Sequence, residues 1–170
     1  MNEILARWNQ LPLADAVGEI IPCCGSTSWA QSLAGSRPIA SESALLAASD
    51  DVWHGLSPAD WLEAFNAHPR IGESSAQASA GRQSQSWSRQ EQGRVATADD
   101  TVKTELAEAN RAYEQRFGHI FIVCAAGKSA FEILAILRLR MQNDGNTELR
   151  EAAEEQRRIT QLRLKKWLGV

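Results

Sequence analysis

The distribution of proline is the feature of this sequence that most restricts its fold. All five prolines lie within the first 69 of 170 residues, so the 101 residues that follow contain nothing that forbids a long helix. The composition agrees, because 26 Ala and 16 Leu outnumber 10 Ile, 6 Val and 6 Thr, and Ala and Leu are the stronger helix formers. We therefore expect an all-α fold, a compact single-domain bundle of about eight helices over residues 1–170.

Charge and hydropathy exclude several classes of protein. The net charge is −3 and no segment gathers a basic patch, which argues against a nucleic-acid partner. No apolar run approaches the ~18–20 residues of a membrane span, and the first residues lack the charged and apolar regions of a signal peptide. Three cysteines without an export signal indicate reduced thiols, so we expect a cytoplasmic protein with no membrane association.

Capping residues predict where several helices begin and end. Helical patterns follow Asn2, either Ser26 or Thr27, and Ser41, and we expect the helix after Ser41 to break at residues 49–51. A long helix is predicted from Asp99 to Arg116, with Gly118 as its stop. Residues 72–86 are small, polar and aperiodic, and this pattern predicts a flexible loop.

Residues 120–126 form a continuous apolar and β-branched run. Periodicity does not distinguish a buried strand from a buried extended passage or a buried helix there. The Gly127-Lys128-Ser129 triplet resembles the end of a phosphate-binding loop, but Ile122 stands where that loop requires a glycine. Ser129 and Glu132 instead have the spacing of a capping box before an apolar helix.

Three further features each allow a functional and a structural interpretation. His68 precedes Pro69 at a helix exit, so it is either an acid–base residue with a fixed backbone or an ordinary histidine at the surface or at a helix C-terminus. Ser88 and Glu91 have capping-box spacing, which alone explains them as a helix cap. Arg163 lies in an apolar stripe of the last helix and either extends to solvent or meets a buried anion. The other charges of that helix, Glu148 included, are expected on a solvated face.

Several motifs occur in order along nearly the whole chain. The motifs are His68-Pro69-Arg70-Ile71-Gly72-Glu73, Ser88-x-x-Glu91-Gln92, Asn110-x-x-Tyr113-x-x-x-Phe117-Gly118, Phe121-Ile122-Val123-Cys124-Ala125 and Arg163-Leu164. The set resembles the family of 2-oxo-4-hydroxy-4-carboxy-5-ureidoimidazoline (OHCU) decarboxylases of urate degradation, and the histidine motif with the downstream Ser-x-x-Glu-Gln is its most specific part.

The resemblance implies an all-helical carboxy-lyase that converts OHCU to (S)-allantoin and CO2. It implies no metal and no organic cofactor, because a C=N unit of the substrate can accept the electron pair of the breaking bond. Family members are commonly homodimers. The chain as a whole would then be one domain of this family, with a small-molecule substrate as its ligand.

The resemblance also implies roles for individual residues. His68 would be the acid–base residue, Glu91 would orient it, and Arg163 would bind substrate oxygens. The substrate-binding residues would be Pro69, Ser88, Gln92, Phe121, Ile122, Val123, Cys124 and Ala125. No metal ligands are implied, and the histidines and cysteines show no paired metal-ligand spacing.

Two alternatives stand beside this reading. In the first, the chain is a non-catalytic helical interaction module in which His68 and Arg163 are surface residues and Ser88 and Glu91 only cap a helix. In the second, weaker alternative, the chain hydrolyses 5-hydroxyisourate, a reaction that belongs to an unrelated β-rich family.

Overall fold

The computed structural model describes residues 2–73 and 81–170, and in these ranges every regular element is an α-helix. The predicted all-α fold is confirmed. The described residues form ten helices, so the expected number of about eight is too low. The helices are α1 (Glu3–Gln10), α2 (Leu13–Cys24), α3 (Thr27–Gly35), α4 (Glu42–His54), α5 (Pro58–Asn66), α6 (Arg82–Glu91), α7 (Gly93–Ala96), α8 (Asp100–Phe117), α9 (Ala130–Arg140) and α10 (Gly145–Leu168).

Most helix starts follow from local capping chemistry. The side chains of Asn2, Ser26 and Ser41 each accept a hydrogen bond from a backbone N–H in the first turn of the helix that follows. Ser129 and Glu132 form the predicted capping box at the start of α9. At the end of α8, Gly118 has φ +76°, a left-handed conformation that glycine adopts without steric cost. These boundaries confirm the corresponding predictions.

Two predicted interruptions differ from the described structure. The break expected at residues 49–51 does not occur, because α4 runs on to His54 and Asp50 is bound by Arg157 at 2.9 Å. The loop predicted over residues 72–86 is also wrong in part. Its residues 74–80 lie outside the described ranges, but residues 82–86 are helical, within α6. A helix with a buried Ser84 shows no apolar periodicity, which is why the sequence pattern missed it.

The chain divides into two compact units, each with its own core. One comprises Met1–Ala64 with Arg157–Val170, where α2 packs against α3 and α3 against α4. The other comprises Phe65–Gln156, where α8 packs against α9. The core of the second unit includes Leu106 of α8 and Ile133 of α9.

Candidate functional site

The structure holds His68 in a buried position just after α5. Its backbone N–H donates to the Phe65 carbonyl at 3.1 Å, and Pro69 restricts the backbone that follows. The side chain is only 7% exposed, and its Nε2 lies 2.6 Å from Oε1 of Gln156 in α10. The interpretation of His68 as an ordinary surface histidine is therefore wrong.

The Ser88-x-x-Glu91-Gln92 motif lies at the end of a helix rather than at its start. Ser88 is buried within α6, and Glu91 is the last residue of that helix. The capping-box interpretation of Ser88 and Glu91 is therefore wrong, because the N-cap of α6 is Gly81. Oε1 of Gln92 accepts a hydrogen bond from the Gly72 N–H at 3.0 Å. This bond fixes the orientation of the Gln92 amide, so its NH2 group is the part that can donate to a bound molecule.

A cavity joins two of the motifs predicted from the sequence. Its volume is about 420 Å³, and Pro69, Ser88 and Gln92 all line it. The lining also includes two cationic side chains, those of Arg89 and Lys103. This volume falls within the range of small-molecule sites. The remaining lining residues are Gly72, Glu73, Gln85, Val95 and Ala96.

The apolar run Phe121–Ala125 is a buried passage of irregular backbone, neither helix nor strand. Such a passage needs side-chain partners for its backbone groups. The Ile122 carbonyl accepts from Arg140 at 2.6 Å, and the Cys124 carbonyl accepts from Nζ of Lys128 at 2.8 Å. The Cys124 N–H donates to Oε2 of Glu155 at 2.7 Å. Among the three conformations that the sequence left open, the buried extended passage is the closest description.

Charges surround this passage on more than one side. Burial raises the pKa of the Cys124 thiol, and the positive charge of Lys128 partly offsets that rise. The carboxylates of Glu155 and Glu91 raise it further. The charge of Glu91 therefore acts on the pKa of the Cys124 thiol. The described contacts do not test its predicted role in orienting His68, which remains a prediction.

A buried ion pair also contacts the passage, because Arg140 donates to the Ile122 carbonyl. The Arg140 guanidinium donates to Glu148 Oε1 from Nε at 2.9 Å and from Nη2 at 2.5 Å, and both side chains are at most 4% exposed. The Tyr113 hydroxyl also donates to this carboxylate, and burial raises the pKa of that phenol. Glu148 was expected on a solvated face, and that expectation is wrong. Its neighbours in the sequence are charged, but its own position in α10 faces the core of its unit.

Other residues of the sequence motifs have structural contacts. Arg70 and Glu114 form a two-bond ion pair, with Nε–Oε1 at 2.5 Å and Nη2–Oε2 at 3.1 Å. The buried amide of Asn110 donates to the Ile71 carbonyl at 3.0 Å. Both contacts join α8 to the segment after His68. They therefore hold the histidine motif against the helix that carries the Asn110-x-x-Tyr113 motif.

Arg163 belongs to the unit formed by the two ends of the chain. It is 1% exposed, so the interpretation in which its side chain extends to solvent is wrong. Its Nη1 donates to the Pro22 carbonyl at 3.2 Å. Burial raises the pKa of the Cys24 thiol to about 12, while the positive charge of Arg163 acts in the opposite direction. A buried guanidinium of this kind is suited to binding an anion, but its predicted contact with substrate is untested.

The sequence analysis did not assign a role to Gln156 or Glu155. These adjacent residues of α10 contact the His68 ring and the Cys124 N–H respectively. The available signal was position, because Gln156 lies in the same helical stripe as Ala152, Ile159 and Arg163. An uncharged polar residue in an otherwise apolar stripe requires a buried partner.

The described residues contain neither a cluster of metal ligands nor a helix that could span a membrane. In the ranges 2–73 and 81–170, no group of three or more His, Cys, Asp or Glu side chains is arranged to hold a metal ion. Over the same ranges, none of the helices combines the length and the apolar character needed to cross a bilayer.

Comparisons with known proteins agree with the motif analysis. The sequence profile of the OHCU decarboxylase family matches residues 9–165. The uric acid degradation bifunctional protein TTL of Arabidopsis thaliana is 40% identical over 147 residues, covering 85% of this chain and 44% of that protein. The 2-oxo-4-hydroxy-4-carboxy-5-ureidoimidazoline decarboxylase of Haloferax volcanii is 27% identical over 169 residues, and the match covers 96% of this chain and 96% of that protein. This chain therefore spans less than half of the bifunctional relative and nearly all of the archaeal one.

A solved structure is also similar to this chain. It is a crystal structure of an OHCU decarboxylase in the presence of (S)-allantoin, with a TM-score of 0.76 and 37% sequence identity. The match covers 89% of this chain and 98% of that one.

Proposed function

Because this chain belongs to the OHCU decarboxylase family, we propose that it is a carboxy-lyase that converts OHCU to (S)-allantoin and CO2 in urate degradation. Relatives named for this activity or for uric acid degradation match most of the chain. The observation that carries the proposal is the placement of His68. This titratable side chain is buried, held by Gln156, and followed directly by Pro69 at the wall of a cavity of about 420 Å³.

In this reaction the protein has to transfer protons, and it does not have to supply an electron acceptor. The bond from the ring carbon to the carboxylate breaks, and its electron pair moves into the adjoining C=N unit of the substrate. The hydroxyl on that carbon loses its proton as a carbonyl forms, while one ring nitrogen and the neighbouring ring carbon each gain a proton. The net uptake is one proton. Delivery of the carbon-bound proton to one face gives the (S) product.

The residues of the sequence motifs suit these tasks, and three of them, Pro69, Ser88 and Gln92, line the cavity. Histidine is the side chain whose ordinary pKa best suits proton transfer near neutral pH, and we assign His68 this role. Ser88 and the NH2 group of Gln92 would bind the ureido or ring groups of the substrate. Glu91 would orient His68, and Arg163 would bind substrate oxygens. The backbone groups of Phe121–Ala125 would contact the ring. These assignments follow the family resemblance.

The proposal extends to cofactors, assembly and location. We propose that no metal or organic cofactor takes part, since the substrate itself accepts the electron pair. We also propose one domain over residues 1–170, a homodimer as in other family members, and a cytoplasmic location, where the three buried thiols, which form no disulfide, stay reduced.

The test is a direct assay on freshly generated OHCU. We expect the purified chain to accelerate the loss of OHCU absorbance in the ultraviolet and to produce allantoin with the circular dichroism of the (S) form. His68→Asn should lower the rate by roughly 10²–10⁴-fold, the range of one general acid–base contribution. His54→Asn is the matched control, because His54 is exposed on α4, and its rate should equal that of the unmodified chain.

The two results that count against the proposal are distinct. A folded chain that leaves OHCU loss at its spontaneous rate would favour the non-catalytic helical module. A folded His68→Asn variant with an unchanged rate would remove His68 from the mechanism.

A further inference from the structure

The contact between His68 and Gln156 has a chemical consequence for the proposed site. The two residues are 88 positions apart in the sequence, yet Nε2 of the ring lies 2.6 Å from the amide oxygen. Gln156 is fully buried and His68 is 7% exposed. Burial removes both polar groups from water, and this costs free energy unless each group has a hydrogen-bond partner. The short contact between them is therefore a stabilising feature of the buried pair.

The identity of the two atoms fixes which nitrogen carries a proton. An amide oxygen only accepts hydrogen bonds, so Nε2 of His68 must donate. In the neutral ring, the protonated nitrogen is then Nε2, and Nδ1 holds the lone pair. Nδ1 is therefore the nitrogen that gains a proton when the ring becomes cationic.

The partner is also held in place. Glu155, the neighbour of Gln156 in α10, accepts from the Cys124 N–H at 2.7 Å. One turn of α10 thus contacts both the His68 ring and the backbone of the Phe121–Ala125 passage. At the other end of the contact, the His68 backbone is fixed by its bond to Phe65 and by Pro69.

From this geometry we infer that Gln156 is a positioning residue for His68. It holds the ring with Nε2 protonated, so that Nδ1 is the nitrogen that gains and loses the proton during the reaction. An uncharged partner has a specific advantage over a carboxylate. It accepts the Nε2–H bond from the neutral and from the cationic ring alike, so it fixes orientation without holding the ring in its charged form. This inference rests on the proposed function only for the identity of the substrate.

The first test does not require activity. In protein labelled with ¹⁵N, we expect the Nε2–H proton of His68 to give a slowly exchanging NMR signal, assigned by its loss in His68→Asn. Gln156→Leu removes the acceptor at similar volume and should abolish that signal. Gln156→Glu keeps an acceptor oxygen and should retain it. Gln161→Leu is the matched control, because it removes another amide of α10, one that donates to Leu46 and Asp50, and the signal should persist.

The second test uses the decarboxylase assay. Gln156→Leu should lower kcat by roughly 10²-fold, the cost of a misplaced reacting group, with KM changed less than threefold. Gln156→Glu should recover most of that loss, and Gln161→Leu should leave kcat unchanged.

The possible results separate this inference from the proposed function. A signal that depends on residue 156 in a chain without decarboxylase activity would support the positioning role while refuting the substrate. Decarboxylation with unaltered kcat in Gln156→Leu would overturn the positioning role while leaving the activity in place. If Gln156→Leu does not fold, Gln156→Glu still decides, since loss of the Nε2–H signal in that folded variant overturns the inference.

Discussion

The ion pair between Arg140 and Glu148 gives the sharpest stability prediction. In Glu148→Leu, the Arg140 guanidinium stays buried at 4% exposure and loses its carboxylate partner. Removing one partner of a buried pair costs about 3–5 kcal/mol, because an uncompensated charge remains in the interior. The Tyr113 hydroxyl loses its acceptor in the same variant. We therefore expect a loss at the upper end of this range.

The expected loss translates into a large change in thermal stability. A chain of 170 residues loses about 2–4 °C in Tm for each kcal/mol, so Glu148→Leu should lower Tm by roughly 8–20 °C. Circular dichroism at 222 nm measures this change directly. The double variant Arg140→Leu/Glu148→Leu should lose less than the sum of the two single variants, because it leaves no unpaired charge behind.

The chain offers a control ion pair, whose arginine lies on α9 as Arg140 does. Arg138 of α9 pairs with Glu105 at 2.7 Å, but these side chains are 61% and 44% exposed. An exposed pair contributes about 0–1 kcal/mol, so Glu105→Leu should change Tm by less than ~4 °C. Equal losses in Glu105→Leu and Glu148→Leu would refute the argument from burial. Additive losses in the double variant would show that the two side chains do not interact.

Three further predictions concern the site and its surroundings. Glu91→Gln should lower kcat/KM by roughly 10²-fold or more, because the proposed role of Glu91 depends on its charge. Tm should stay unchanged, because Glu91 does not cap α6. A kcat/KM within a few-fold of that of the unmodified chain would remove the proposed role. Dialysis against EDTA should leave the rate unchanged, and a loss restored by a divalent ion would contradict this expectation. Asp144→Asn should lower Tm at pH 7, because hydrogen bonds from Thr147 hold the pKa of the Asp144 carboxyl below its ordinary value of 3.8. The stability that the ionised Asp144 carboxylate contributes is complete above pH 3.8 and is lost as pH falls through the lowered pKa. The difference in Tm between Asp144→Asn and the unmodified chain should therefore vanish in acid, and a difference that persists there would refute this explanation.

The parts of the fold that the sequence predicted well depend on contacts between near neighbours. Asn2 and Asp99 accept bonds from N–H groups two or three residues away, and Gly118 ends its helix through its own backbone conformation. Such interactions are local, so residue type and spacing are sufficient to find them. The start of α6 has no such signal, because Gly81 caps it without a side-chain hydrogen bond.

The failures concern polar residues that are buried by the tertiary structure. Ser84 and Ser88 form a buried face of α6 with Trp87, but two serines do not register as an apolar stripe. Glu148 has charged neighbours in the sequence, and only its pairing with Arg140 and Tyr113 makes it an interior residue. A pattern based on hydrophobicity assigns Ser84, Ser88 and Glu148 to solvent, because it depends on the polarity of a side chain and not on the tertiary structure that buries it.

Gln156 is a partner of His68 that the motif does not predict, and it adds to the chemistry of the ring. The motif predicts the carboxylate of Glu91 as a partner, which would favour the charged ring, and that contact stays a prediction. The neutral amide of Gln156 contacts the ring as well. In the proposed reaction a hydroxyl proton leaves and a carbon gains a proton, so a group that serves both steps must pass through both of its charge states. A neutral partner at Nε2 accepts a hydrogen bond from the ring in both states, and a nearby carboxylate would then shift the balance between them toward the charged ring. This division of labour predicts that Gln156 variants alter kcat through ring orientation, whereas Glu91→Gln shifts the histidine limb of the pH–rate profile toward lower pH. Finding both effects in the Glu91 variant and neither in the Gln156 variants would reverse the assignment.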